Sequence, residues 1–295
     1  MIGIVWGLLG GVLIGVSDCI ARVTTARVTI GVLLFAVMAG SVLVLTPVLA
    51  FWSIWPAWHA WGWGAAAVSG VLNLVGLAFI FKALMRGPIA VASPTASSFT
   101  VMLVGLNILA GEPYDWRQLA AALFVFLGIV MLARPERRGA EALADYDAAG
   151  LRTTALLALG AAGSVAIRMF LAQEARVALG TLEALYLTRV FAAVGAAAFI
   201  GWQASRGQRL AWPRGGATLG LVFVQMVLET LALGAFLAGS AGTGRVGAAI
   251  GFSAFPAATA ATAWLWLGER ISRRRVFWMA VVALGVALAV LFAPR

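Results

Sequence analysis

Asp18, Arg168, Arg189 and Glu229 stand inside runs that are otherwise almost wholly apolar. On insertion scales an Asp, Lys or Arg at the centre of a membrane helix costs roughly 2.5–3.5 kcal/mol. Four such residues, unpaired and facing lipid, would together cost on the order of 10 kcal/mol. They must therefore face a cavity or one another. Asp18 and Arg168 lie nearer the ends of their runs and read as interfacial anchors that snorkel. Arg189 and Glu229 lie deeper, at similar depth on consecutive runs, and are expected to form a charge pair. Such a pair can hold a zwitterion, with Arg189 on the carboxylate and Glu229 on the ammonium. Glu229, with Asp18 second, is the candidate for a coupling proton. Asn73, Tyr186, Gln225 and Thr230 add uncharged hydrogen-bonding groups. Ser93, Thr95 and Ser97 cluster around Pro94, and Ser253 precedes Pro256. A proline inside a span removes a backbone hydrogen bond and favours a kink, and paired interrupted helices point to a substrate site. The inventory describes a roomy, mostly apolar cavity with few polar contacts, suited to an amino acid with a large side chain. A polyanion would want several converging cations.

The same residues exclude catalysis. A serine protease needs a histidine at membrane depth, and the single histidine, His59, falls between apolar runs. An aspartyl protease needs two facing aspartates, and Asp18 alone lies in a span. There is no His-Glu-x-x-His pair and no Gly-x-x-x-x-Gly-Lys phosphate loop. One cysteine, Cys19, allows neither an internal disulfide nor a cysteine-based zinc site. No enzyme, metal or cofactor is expected, and energy must come from solute or ion gradients.

Positioning these groups falls to membrane helices. Of 295 residues 63% are hydrophobic and 11% charged, and mean hydropathy is +1.00. Soluble domains carry about 25% charged residues, so this chain could not cover a water-soluble globule. A span needs about 20 apolar residues. Ten are read, at 2–21, 29–51, 62–82, 88–109, 117–134, 151–172, 181–203, 216–238, 244–267 and 276–293. The first lacks a basic leader and a convincing cleavage site, and reads as a retained helix. The net charge of +10 is no nucleic-acid signal, because the cations sit between apolar runs. Ten spans put both termini on one side, A. Fifteen Lys and Arg then fall in the loops of the opposite side, B, and four on side A. Short loops rich in Lys and Arg stay in the cytoplasm, so both termini are expected outside. Trp52, Trp55, Trp58, Trp61 and Trp63 crowd one side-A loop, as in an interfacial aromatic belt.

The chain repeats itself. Gly111-Glu112 recurs as Gly268-Glu269, 157 residues on, and the same offset relates Gly128 to Gly285, Gly87 to Gly244, Phe79 to Phe236 and Asn73 to Thr230. Two five-span halves, 1–138 and 148–295, flank a charged linker at 139–147. An odd number of spans per half inverts the second, giving an all-α polytopic protein of two inverted-topology repeats, a recurring transporter architecture. Gly3, Gly7, Gly11 and Gly15 form a small-xxx-small row for close helix approach, echoed by Gly216/Gly220 and Gly247/Gly251.

The paired Gly-Glu segments, each followed by an apolar helix with a central glycine, resemble the EamA-type repeat of the drug/metabolite transporter superfamily. Trp266-Leu267-Gly268-Glu269-Arg270-Ile271-Ser272 matches well, whereas Ala110-Gly111-Glu112-Pro113-Tyr114 departs after the glutamate. Within the superfamily the chain is most similar to bacterial aromatic amino-acid exporters of the YddG type. The resemblance implies a ten-helix, basket-shaped exporter with a central cavity, in the bacterial inner membrane. The expected substrates are aromatic and other neutral amino acids, the alternative a broad multidrug or metabolite exporter of the same fold. The expected partners are the small-molecule substrate and the lipid bilayer, with no nucleic acid, and the expected unit is a monomer.

Overall fold

The computed structural model describes residues 2–86, 95–133, 148–268 and 272–292, which are helical with no strand among them. The helices are α1 (Ile2–Thr24), α2 (Ile30–Phe51), α3 (Ala60–Arg86), α4 (Phe99–Leu109), α5 (Trp116–Ala133), α6 (Ala148–Leu179), α7 (Thr181–Ser205), α8 (Gly216–Gly239), α9 (Arg245–Phe252), α10 (Phe255–Leu267) and α11 (Arg273–Leu291). Among the described residues, seven segments are long and apolar enough to cross a membrane, with α9 and α10 counted together, and three shorter apolar helices accompany them. The chain is a multi-pass membrane protein. Ser93, Pro94, Gly87, Glu269 and the linker 139–147 lie outside the described residues.

Two boundaries change the sequence reading. The expected span 244–267 is two helices, because Pro256 in the first turn of α10 has no N–H for the preceding turn. The expected span 151–172 continues to Leu179. Arg168 therefore lies eleven residues, about 16 Å, from that end of its helix. A side chain cannot snorkel so far, and Arg168 is not an interfacial anchor.

The packing follows the small residues. The row Gly3, Gly7, Gly11 and Gly15 runs parallel to α9 and α10. A Cβ on Gly3 would lie 2.8 Å from the carbonyl oxygen of Gly239 in α8, one on Gly7 would collide with the carbonyl of Ala248, and one on Gly11 would lie 2.8 Å from that of Phe252. Gly247 and Gly251 press back on Ile4. Gly216 and Gly220 have open space around them, so this third small-residue pair makes no close approach. α1 packs on α8 and α6 on α3; α2 meets α7 and α5 meets α11. Exchanging the first five expected spans for the last five leaves this pattern unchanged. At the contact of α5 with α11 a Cβ on Gly128 would meet Val282, and one on Gly285 would meet Val125. Both pairs, Gly128/Gly285 and Val125/Val282, are 157 residues apart.

The repeated Gly-Glu segments acquire a local cause. Gly111 and Gly268 have φ of 89° and 66°, the left-handed region where a Cβ is strained. Each stops a helix: Gly111 donates its N–H to Ile108 and Glu112 to Asn107 after α4, while Gly268 donates to Ala263 after α10.

Candidate functional site

The polar centre is built on α1, α2, α6, α7, α8 and α10. Gln225 and Glu229 are four residues apart and share a face of α8. Arg189 faces them from α7. Its Nη1 lies 3.8 Å from Glu229 Oε2 and donates to Met38 Sδ of α2 at 2.9 Å; its Nη2 donates to the backbone carbonyl of Glu229 at 2.5 Å. Glu229 Oε1 accepts from Gln225 Nε2 at 3.1 Å and from Ser17 Oγ of α1 at 3.4 Å. The guanidinium is 6% exposed and the carboxylate 18%. Attraction between charges in so dry a place is strong, yet 3.8 Å is an ion pair without a direct hydrogen bond. The pair is held by its surroundings: Met38 Sδ and the Glu229 carbonyl on the guanidinium, and Gln225 and Ser17 on the carboxylate.

Toward side B, the exposed Asp18 accepts from Thr259 Oγ1 of α10 at 3.4 Å. Asp18 and Ser17 are adjacent, so α1 brings one acidic group and one hydroxyl to the same centre. Arg168 reaches it from α6 and interacts electrostatically with Arg189 and Glu229. In the other direction Ser41 of α2 and Thr230 of α8 share a 2.7 Å hydrogen bond, and Thr46 Oγ1 donates to the Tyr186 hydroxyl at 3.4 Å. Tyr186 in turn meets Trp55 edge to face.

The structure thus brings Asp18, Gln225, Glu229 and Arg189 together, with Arg168 within electrostatic reach and Tyr186 on the side-A flank. Asn73 is half-buried on α3, a helix that packs on both α6 and α7. Ser253 is buried at the break between α9 and α10, its hydroxyl committed to the Ile250 carbonyl at 2.6 Å. Thr95 and Ser97 precede α4, where the Thr95 carbonyl accepts from both the amide and the hydroxyl of Ser98. Ser93 is not among the described residues. Met38 and Ser17 belong to the centre and were not expected there. Ser17 had a signal, its neighbour Asp18; Met38 had none, being one apolar residue in an apolar helix.

A second cluster lies at the side-A end. Arg245, at the start of α9, holds Glu112 Oε1 through Nε at 3.1 Å and Glu174 Oε1 of α6 through Nη1 at 2.5 Å. Its guanidinium is 8% exposed. Trp61 Nε1 donates to Glu174 Oε2 at 3.3 Å, and Gln173 Nε2 donates to Ser240 Oγ at 2.9 Å and to the Arg245 carbonyl at 3.4 Å. Glu112 Oε2 is buried with no hydrogen-bond partner among the described residues. Burial is the larger influence on Glu112 and holds its carboxyl above the ordinary range; Arg245 opposes the shift and Glu174 adds to it. By sequence alone Arg245 is one of the four side-A cations. Among the described residues no group of His, Cys, Asp and Glu is placed to hold a metal ion. His59 serves the backbone, its Nδ1 accepting from the Gly62 amide at 3.1 Å at the start of α3.

Residues 1–134 match the model of the EamA-like transporter family. No match is found among curated proteins. Among solved structures, 29 chains match. One of them, a crystal structure of a protein, has a TM-score of 0.78 and 18% identity, over 99% of this chain and 97% of that one. At that identity the likeness is one of fold.

Proposed function

We propose that the whole chain is a secondary transporter of the EamA type that exports small metabolites, above all aromatic and other neutral amino acids, across the bacterial inner membrane by alternating access. The observation that carries this reading is the Arg189–Glu229 pair, set between opposed charges and hydroxyls inside apolar helices of a chain whose first 134 residues match a transporter family. A zwitterion presents both charges, and a large side chain suits the apolar remainder of a cavity. The substrate-contacting set is drawn from Asn73, Ser93, Thr95, Ser97, Tyr186, Arg189, Gln225, Glu229 and Ser253, with Glu229 and then Asp18 as carriers of a coupling proton. Ten spans in two inverted five-helix repeats, 1–138 and 148–295, make the exchange between outward-open and inward-open forms a swap of similar halves. The exchange-invariant packing and the reciprocal Gly128–Val282 and Gly285–Val125 contacts support that symmetry. A monomer suffices for the mechanism.

Expression in bacteria should raise resistance to toxic phenylalanine or tryptophan analogues, and uptake of labelled aromatic amino acids into proteoliposomes should saturate. Transport of unrelated hydrophobic cations with no amino-acid transport would replace this reading by the multidrug one.

Orientation follows from the distribution of Lys and Arg. Cys19 is buried, so Cys19→Ala gives a background free of thiols. Single cysteines at the exposed Ala60 and Gln208 should then label from opposite sides, Ala60 from outside in intact cells. Labelling of both from outside would overturn the span count, and labelling of Gln208 alone would reverse the orientation.

A further inference from the structure

At the depth of the Arg189–Glu229 pair the charges do not balance. Arg189 lies eight residues from the side-A start of α7, Glu229 ten from the side-A end of α8, and Arg168 eleven from the side-A end of α6. At 1.5 Å per residue all three fall within about 12–16 Å of that surface. Glu229 neutralises Arg189, and the centre's other carboxylate, Asp18, lies sixteen residues along α1 from its side-A end, about 24 Å deep, with no ion pair to Arg168 among the described residues. Among the described residues the Arg168 guanidinium has no ion pair, and its Nε is buried with no hydrogen-bond partner. An arginine stays charged at any physiological pH, and an uncompensated one inside a membrane is a standing cost.

The backbone around Arg168 is nevertheless fixed. Ser69 Oγ of α3 donates to the Arg168 carbonyl at 2.9 Å, and α3 and α6 run antiparallel, with Gly62 against Leu179 and Gly76 against Ser164. Ser69, Asn73 and Gly76 fall on one face of α3 by their spacing, so Asn73 lies one turn from Ser69 on the seam that carries Arg168. The seam thus presents a fixed cation without a protein anion, next to a neutral amide.

We propose that Arg168 is the anion subsite of the transport site. It takes the carboxylate of the substrate, with Asn73 beside it, while Arg189 stays with Glu229 and holds that carboxylate in place for the ammonium. This rests on the amino-acid reading above and reassigns the carboxylate from Arg189 to Arg168. A guanidinium can take a carboxylate with two parallel hydrogen bonds, which a lysine cannot reproduce.

The test measures binding of four probes to the purified full chain: L-phenylalanine, 3-phenylpropanoate, benzoate and phenethylamine. Arg168→Gln should weaken the three carboxylates at least tenfold and leave phenethylamine within twofold, which also shows that the variant is folded. Arg168→Lys should recover part of the carboxylate affinity. The melting temperature of Arg168→Gln should equal or exceed that of wild type, since a neutral amide replaces an unpaired charge. Equal weakening of all probes, undiminished carboxylate binding, or a marked fall in melting temperature would overturn the proposal. Wild-type protein that binds 3-phenylpropanoate or benzoate but not phenylalanine would sink the amino-acid reading and uphold the subsite. Wild-type protein that binds no carboxylate would overturn the subsite itself.

Discussion

Glu229→Gln should reduce transport more than tenfold and lower the melting temperature. The amide leaves Arg189 charged, 6% exposed and without its counter-ion. Removing one partner of a buried pair costs about 3–5 kcal/mol. Arg189 keeps the Glu229 carbonyl and Met38 Sδ as acceptors, which places the loss at the lower end of that range. Arg189→Gln should be the milder of the two for stability, because Ser17 and Gln225 still donate to the Glu229 carboxylate. The double variant Arg189→Glu/Glu229→Arg separates structure from function. It restores opposite charges, but turns the Ser17 hydroxyl and the Gln225 amide, both donors to the native carboxylate, towards a cation. Stability should recover in part and transport should not. Recovery of transport would make the pair a structural device alone, and single variants as stable and active as wild type would show that the pair does not matter. Thermal melting of purified protein and proteoliposome uptake read the two effects independently.

Much of this centre was legible in the sequence, and for a physical reason. In a chain with 11% charged residues, a charge inside an apolar run is expensive enough to require an explanation. Depth counted along consecutive helices was enough to pair Arg189 with Glu229. The same arithmetic misplaced Arg168, because it needed the end of α6. The expected span stops at residue 172, whereas the helix runs on to Leu179 and sets the half-buried Glu174 against Arg245. A charge that ends a span and a charge that is neutralised across helices look alike in one dimension. The glycine row of α1 was legible because only the smallest side chain lets backbones touch, yet the same spacing at Gly216 and Gly220 meets open space. Spacing identifies a face that permits close approach; a partner must still be there. Met38 was beyond reach, since a thioether acceptor differs from its apolar neighbours only when a guanidinium points at it.

The side-A cluster sets the remaining expectation, and it turns on one arginine between two carboxylates. Arg245 joins the segment after α4, through Glu112, to α6, through Glu174, and α6 is tied by Glu174 to Trp61 of α3. Four elements are thereby pinned at one end of the bundle, and the proposed alternating access would have to part them to open the centre towards side A. Arg245→Ala removes the shared cation and leaves two carboxylates facing each other with little water, so the loss should be large, again about 3–5 kcal/mol. Its second consequence is conformational. A cysteine at Ser240, fully buried beside Gln173, should label from outside far faster in the Arg245→Ala background than with Arg245 present. Glu112→Gln should behave differently. Its carboxyl is held above the ordinary range, chiefly by burial, so the folded protein binds that proton more tightly than the unfolded chain. The stability this contributes is complete below the unfolded value and is lost as pH rises through the folded one. The glutamine, a fixed stand-in for the protonated acid, should therefore flatten the decline in melting temperature between mildly acidic and neutral pH, and should not lower it at neutral pH. Glu174→Gln should lower it there, because Glu174 provides the shorter of the two contacts to Arg245 and holds Trp61 as well. Equal effects of the two substitutions, with an unchanged pH profile in both, would mean that Arg245 does not discriminate between its carboxylates. Unchanged labelling at Ser240 in Arg245→Ala would mean that the cluster does not close side A.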